Sequence, residues 1–191
     1  MQPSNETKQL AEYLQSLVGS RPTITRYYDE AERSHVDILA APDDLTKNVV
    51  TYATLGLSDH DNAGTRDGPK PLRVELLMAA RDYFEDVPNI LSTCAFNIIN
   101  SGMQGAPGRI FPRVVELYYP ELPLTDIFLA SPFLWRIETQ KFPSKTVAWL
   151  LAAPISKGET AYAMQNGPDA LETQFERHSI DIFDLERPPI F

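Results

Sequence analysis

Carboxylates, three histidines and a single thiol are the groups in this chain that could do chemistry. The loop "SDHDNAGTRDGPKP" (58–71) is the densest in oxygen donors. Aligned as a calcium loop from Asp59, it places Asp59 and Asp61 at the first and third ligand positions and Gly64 at the sixth. Ala63 at the fifth position and Lys70 at the twelfth, where a bidentate Glu is required, break the pattern. Asp, Asn and Gly also build polar turns, so the segment reads first as a solvated turn and no metal is assigned. Cys94 falls on the apolar stripe of a helix and reads as an inert core thiol. His35 on a strand and His178 at a helix end stand apart, the latter suited to the negative end of its helix. Glu75 and Glu116 would act as a pair only if the fold joined them. Asp181 and Asp184, three apart around an expected strand, point to roughly opposite faces and make a poor acid/base dyad. Neither a G-x-S-x-G elbow, nor H-E-x-x-H, nor a P-loop occurs. The expectation is no catalytic residue, no cofactor and no enzymatic activity.

The elements that position these groups follow from periodicity. Leu10, Tyr13, Leu14, Leu17 and Val18 make one helical stripe, capped at Ser4 or Asn5 and stopped at Gly19. Runs 23–28, 34–40 and 48–57 are rich in β-branched and aromatic residues and read as strands, and "LRVELLMAA" (72–80) reads as another, largely buried one. "VPNILSTCAFNIINSG" is a second helix, opened by Pro88 and ended by Gly102. Prolines in "RVVELYYPELPLTDIFLASPFLW" (113–135) limit that region to short edge strands. "TVAWLLAAPI" reads as an interior strand that Pro154 helps end, followed by helices at 156–166 and 168–178 and a closing strand "IDIFDL". Ser156 and Glu159 have the spacing of a capping box. This order predicts an α+β (mixed α/β) fold, a mixed sheet with helices packed on it. One domain over 1–191 accommodates it, with the helix at 4–19 open to reading as an appended element.

With 43% hydrophobic residues the chain can bury a substantial core. Its net charge of −9 disfavours nucleic acid and anionic membranes as partners. One cysteine excludes an internal disulfide and fits a reducing compartment. The N-terminus lacks the basic and apolar regions of a signal peptide, and the longest apolar run, 147–155, is too short to span a membrane. A cytoplasmic location is expected. Aromatic and Arg residues gather in "RYY" (26–28), "ELYYPELP" (116–123) and "PFLWR" (132–136), the types enriched at interface hot spots. Core filling explains any one of them; on a proline-flanked edge strand, Tyr118 or Tyr119 would face outward and serve a peptide-docking surface.

Three stretches together resemble the suppressor of fused domain: "TYATLGLSD" (51–59), "ELLMA" (75–79) and the long closing block 149–188. In that block the family pattern falls on Pro154, Ile155, Ser156, Glu159, Gly167, Ala170, Leu171, Asp181, Ile182, Asp184, Arg187 and Pro188. The resemblance runs from about residue 25 to the end. It implies a mixed α/β fold without known catalysis. In eukaryotic relatives a second lobe follows, and an extended peptide of a Gli-type transcription factor adds as a strand between the lobes. This chain ends where the first lobe ends. The partner-binding Asp that follows a Gly after the middle helix is replaced here by Arg109, after Gly108, so that acidic contact is missing. Bacterial single-domain members resemble immunity proteins, which neutralise a toxin by binding it.

The sequence therefore points to a non-enzymatic protein-binding module, immunity- or antitoxin-like. Its partner would be a protein, a basic toxin or an extended peptide segment, met as a monomer or weak homodimer. Tyr118, Tyr119, Arg109 and Trp135 are the assigned partner-facing residues. The alternatives are a small-ligand or metal-binding enzyme built on the 58–70 loop, and a structural homo-oligomer that covers a sheet edge near 116–136 by self-pairing.

Overall fold

The computed structural model describes residues 3–18, 21–43, 46–64 and 70–191. Gly19, the expected stop of the first helix, and residues 65–69 of the 58–71 loop lie outside that set. In chain order the elements are α1 (Asn5–Val18), β1 (Thr23–Tyr28), β2 (His35–Pro42), β3 (Val49–Leu55), β4 (Leu72–Arg81), α2 (Val87–Ser101) and β5 (Ile110–Phe111). They continue with β6 (Leu124–Ala130), β7 (Gln140–Lys141), β8 (Thr146–Ser156), α3 (Lys157–Asn166) and α4 (Pro168–His178). This is the expected α+β architecture. None of the described helices is long and apolar enough to cross a membrane.

One eight-stranded sheet runs in the order β1-β2-β3-β4-β8-β6-β5, with β7 attached to β8. β1 to β4 form an antiparallel meander, and β8 adds to β4 in parallel, Leu72 opposite Thr146 through Leu77 opposite Leu151. Because side chains alternate along a strand, each strand feeds both faces. Val36, Ile38, Tyr52, Leu76, Met78, Leu150, Ile127 and Leu129 meet α2 on one face. On the other, Leu39, Ala53, Leu77 and Trp149 meet α1, while Phe128, Leu151 and Ile155 meet α3 and α4. Ser4 caps α1 by accepting the Thr7 N–H (3.0 Å), and the helix buries Leu10 and Leu14 on the sheet, each burial being worth about 1.5–3 kcal/mol.

Three expectations need correction. The stretch 124–130 is not a short edge strand. Its prolines lie outside the strand, at 123 and 132, and all seven residues are buried between β8 and β5. The six-residue unpaired margin among the described residues is β1, which exposes Ile24 and Tyr28; it does not lie near 116–136. "IDIFDL" is not a strand. Asp181 and Asp184 turn their side chains back to accept the Phe183 and Glu186 N–H groups, bending the chain. Ile182 and Leu185 are then buried at a spacing of three rather than two.

β8 also runs through Pro154 to Ser156. The Pro154 carbonyl accepts from Arg187 (3.1 Å), so its nitrogen, on the same side of the strand, faces away from β6 and owes no ladder bond.

Candidate functional site

At the end of β3, Gly56 adopts φ +94, a conformation that favours glycine, and turns the chain over the buried Glu75 of β4. The Gly56 and Ser58 N–H groups donate to Glu75 Oε1, both at 3.0 Å. The Thr54 hydroxyl accepts the Leu76 N–H and therefore donates its own proton to Oε2 (2.6 Å). Burial pushes the carboxyl up to about 7 against the pull of these donors.

The neighbouring acids are committed elsewhere. Asp59 pairs with the buried Lys145 (2.5 Å), whose Nζ also donates to the Ser58 carbonyl (3.1 Å). Asp61 pairs with Arg73 (2.5 Å), and Asn62 clasps the Gly105 backbone in both directions (2.7 and 2.8 Å). The would-be calcium ligands thus face separate cations. Glu116 binds Arg113 (3.0 Å) and Lys157 (3.5 Å) and shares no partner with Glu75. Cys94 is fully buried, and burial pushes its thiol far up.

Residues 112–118 form turns, not a strand, so the adjacent tyrosines do not alternate. Both are half-buried against the α2-side core. The Tyr118 hydroxyl is bonded to Thr93 (2.6 Å); that of Tyr119 accepts the Asp86 N–H (2.8 Å). Leu117, just before them, is the exposed one, at 65%. Arg109 is exposed and bonded to the Gln104 side chain. Trp135 lies on the opposite face of the sheet, between the apolar clusters beneath α1 and α4. The aromatic residues picked from the sequence are therefore divided between the two faces.

The closing block encloses a buried ion pair that no local pattern announced. Glu159 is 0% exposed and Arg187 4%. Arg187 meets Glu159 with both guanidinium nitrogens (2.7 and 2.9 Å). The carboxylate also accepts the Ser156 N–H (2.8 Å), completing the capping box that starts α3, and the Ile190 N–H (3.1 Å). Pro154, Ser156, Glu159 and Arg187 of the signature are one bonded group.

Beside it lies a pocket of about 440 Å³ that the sequence reading missed. Ala130 of β6 and Ala153 of β8 make its floor, where small side chains leave the sheet unfilled. Glu172, Phe175 and Glu176, an i, i+3, i+4 stripe of α4, form one wall with Ser179 just past the helix end; Phe133 and Leu134 form the other. That stripe was readable in the sequence; the alanines opposite it were not.

Comparison with known proteins places this geometry. Residues 32–188 match the profile of the Suppressor of fused protein (SUFU) family. The Immunity protein YqcF of Bacillus subtilis (strain 168) is 40% identical over 189 residues, 98% of each chain. Among solved structures, a putative SUFU homolog from Neisseria gonorrhoeae FA 1090 has a similar fold (TM-score 0.69, 14% identity, 96% of this chain and 95% of that one). A chain of the Sufu-Fu complex superposes at TM-score 0.68 with 12% identity, covering 100% of this chain and 94% of that one. Drosophila Suppressor of Fused gives TM-score 0.69 at 12% identity over 99% of this chain, which spans 52% of its length. A profile match over most of the sequence, a full-length relative and a shared sheet lead to one conclusion: the chain belongs to the suppressor of fused family.

Proposed function

We propose that this protein is an immunity protein, one that neutralises a protein toxin in the cytoplasm by binding it and catalyses no reaction itself. The observation that carries this reading is the 40% identity to a Bacillus subtilis immunity protein along 98% of both chains. The interior chemistry agrees with it. Glu75, Lys145, Glu159 and Arg187 are spent on holding loops and termini to the sheet. The charge of −9 favours a basic partner and speeds its capture. In this reading Leu117, Tyr118 and Tyr119 offer one contact patch, Arg109 is an exposed contact beside Gln104, and Trp135 belongs to a patch on the other face.

The test is co-expression with the toxin encoded beside the gene, followed by calorimetric titration of the two purified proteins. Protection of the cells and a complex that weakens with salt are expected. Survival no better than with empty vector, with no heat of binding, would sink the proposal.

A further inference from the structure

We propose that the pocket beneath α4 seats an apolar side chain that the partner carries next to a lysine or arginine. The inference rests on the protein-binding reading above and names what that partner must present. Three observations converge on it.

The first is shape. The pocket's 440 Å³ lies within the range of sites that take small ligands, and alanines in place of larger residues on two adjacent strands keep it open. The second is lining. Ala130, Ala153, Phe175 and Ile182 make the interior apolar, and Phe133, 63% exposed, stands at its mouth. An aromatic held this far in water gains by closing over an apolar guest.

The third is charge. Asp181 is neutralised by Arg81 (2.6 Å), but the carboxylates of Glu172 and Glu176 take no hydrogen bond or ion pair from any described residue. Burial, with Asp169 and Glu176 adding like charge, raises Glu172. A cation at this rim relieves the crowding, whereas an anion increases it. The chain's own terminal aromatic does not compete, because Phe191 is stacked on Tyr162 at 4.1 Å. A second acidic copy would bring like charges together.

Tryptamine, an indole bearing an ammonium, is the first probe; 3-(indol-3-yl)propionate, the same ring bearing a carboxylate, is its control. Titrations followed by methyl NMR should shift Ala130, Ala153 and Ile182 with tryptamine, and bind the propionate at least about 10-fold more weakly, as expected for two partly exposed charges. The E172Q/E176Q double variant should remove that preference while leaving the spectrum of a folded protein. With the toxin as ligand, E172K/E176K should weaken binding by roughly 100-fold, and Thr25→Pro on the distant β1 edge should not.

Absence of tryptamine binding, or equal binding of both probes, overturns the pocket whatever the toxin does. Binding of tryptamine with an unchanged toxin affinity in E172K/E176K overturns it as the partner's seat and leaves the immunity reading standing. Failure of the wild-type protein to bind or neutralise the toxin overturns the immunity reading, and with it this occupant. Dimerisation on E172K/E176K, seen by light scattering, would assign the pocket to a second copy instead.

Discussion

Replacing Arg187 by methionine keeps most of the side-chain volume and removes the cation from a site 4% exposed. Glu159, at 0% exposure, then keeps only the Ser156 and Ile190 N–H groups as donors, and the Pro154 carbonyl loses its bond. Breaking a buried pair from one side costs about 3–5 kcal/mol, because the remaining charge has no route to water. Domains are typically stable by about 5–15 kcal/mol, so R187M should fold but sit near the edge of stability. At roughly 2–4 °C per kcal/mol for a chain of this size, the melting temperature should fall by about 10 °C. Urea unfolding followed by tryptophan fluorescence measures the loss directly. A second variant controls the interpretation. E159Q/R187M removes the stranded charge, so it should be more stable than R187M alone despite carrying one more substitution. A loss below about 1 kcal/mol in R187M, or a double variant no better than the single, would refute the claim that this pair holds the closing segment.

Other outcomes follow from the same structure. Glu75 is raised in the folded state from 4.5 to about 7, so the fold favours its protonated form. Its contribution is fully present below pH 4.5 and is lost as pH rises through 7, about 3 kcal/mol in all; the stability difference between E75Q and wild type should shift by that amount between pH 4 and pH 8 in urea titrations. Gly158→Ala, ordinarily stabilising in a helix by about 1 kcal/mol, should here destabilise by roughly 1–3 kcal/mol. The new Cβ would collide with the Phe191 backbone oxygen, and faster proteolysis of the closing segment should accompany the loss. Cys94 should react with a thiol reagent only as fast as the protein unfolds, because its sulfur is buried and its thiolate strongly disfavoured. Leu117→Ala should leave stability within about 0.5 kcal/mol of wild type, because its side chain is exposed; Tyr119→Ala should cost more, since its ring packs edge-on against Phe84.

Much of the fold was legible because local preference and tertiary role agree in it. Strands β1 to β3 carry β-branched and aromatic residues, β4 is a mostly apolar run, and α2 has its proline at the start and Gly102, at φ +64, just past the end. Where the reading failed, one residue type had two uses. Prolines at 123 and 132 looked like strand breakers across a region, yet they only bracket β6. Asp181 and Asp184 looked like polar groups on opposite faces of a closing strand, yet they accept from backbone N–H groups two residues on and bend the chain. Tyr118 and Tyr119 looked like one inward and one outward ring, but turn geometry half-buries both. Site features were harder to see for a further reason. The Glu159–Arg187 pair joins residues 28 apart, and the pocket needs alanines on two strands to stand opposite one stripe of α4. Such coincidences are properties of the assembled sheet rather than of any window of sequence.

The parallel join between β4 and β8 has a consequence for how the chain reaches this state. On one side of it, β1 to β4 pair antiparallel in chain order; on the other, β8 gathers β6 and β7, also antiparallel. The join itself pairs Leu72 with Thr146, so it cannot form until some seventy residues of intervening chain have been confined. Until it forms, β4 and β8, both with long apolar stretches, would each stand at a bare margin. The meeting of these two margins is the step expected to limit the folding rate, and the same margins are where two nascent chains would meet each other instead.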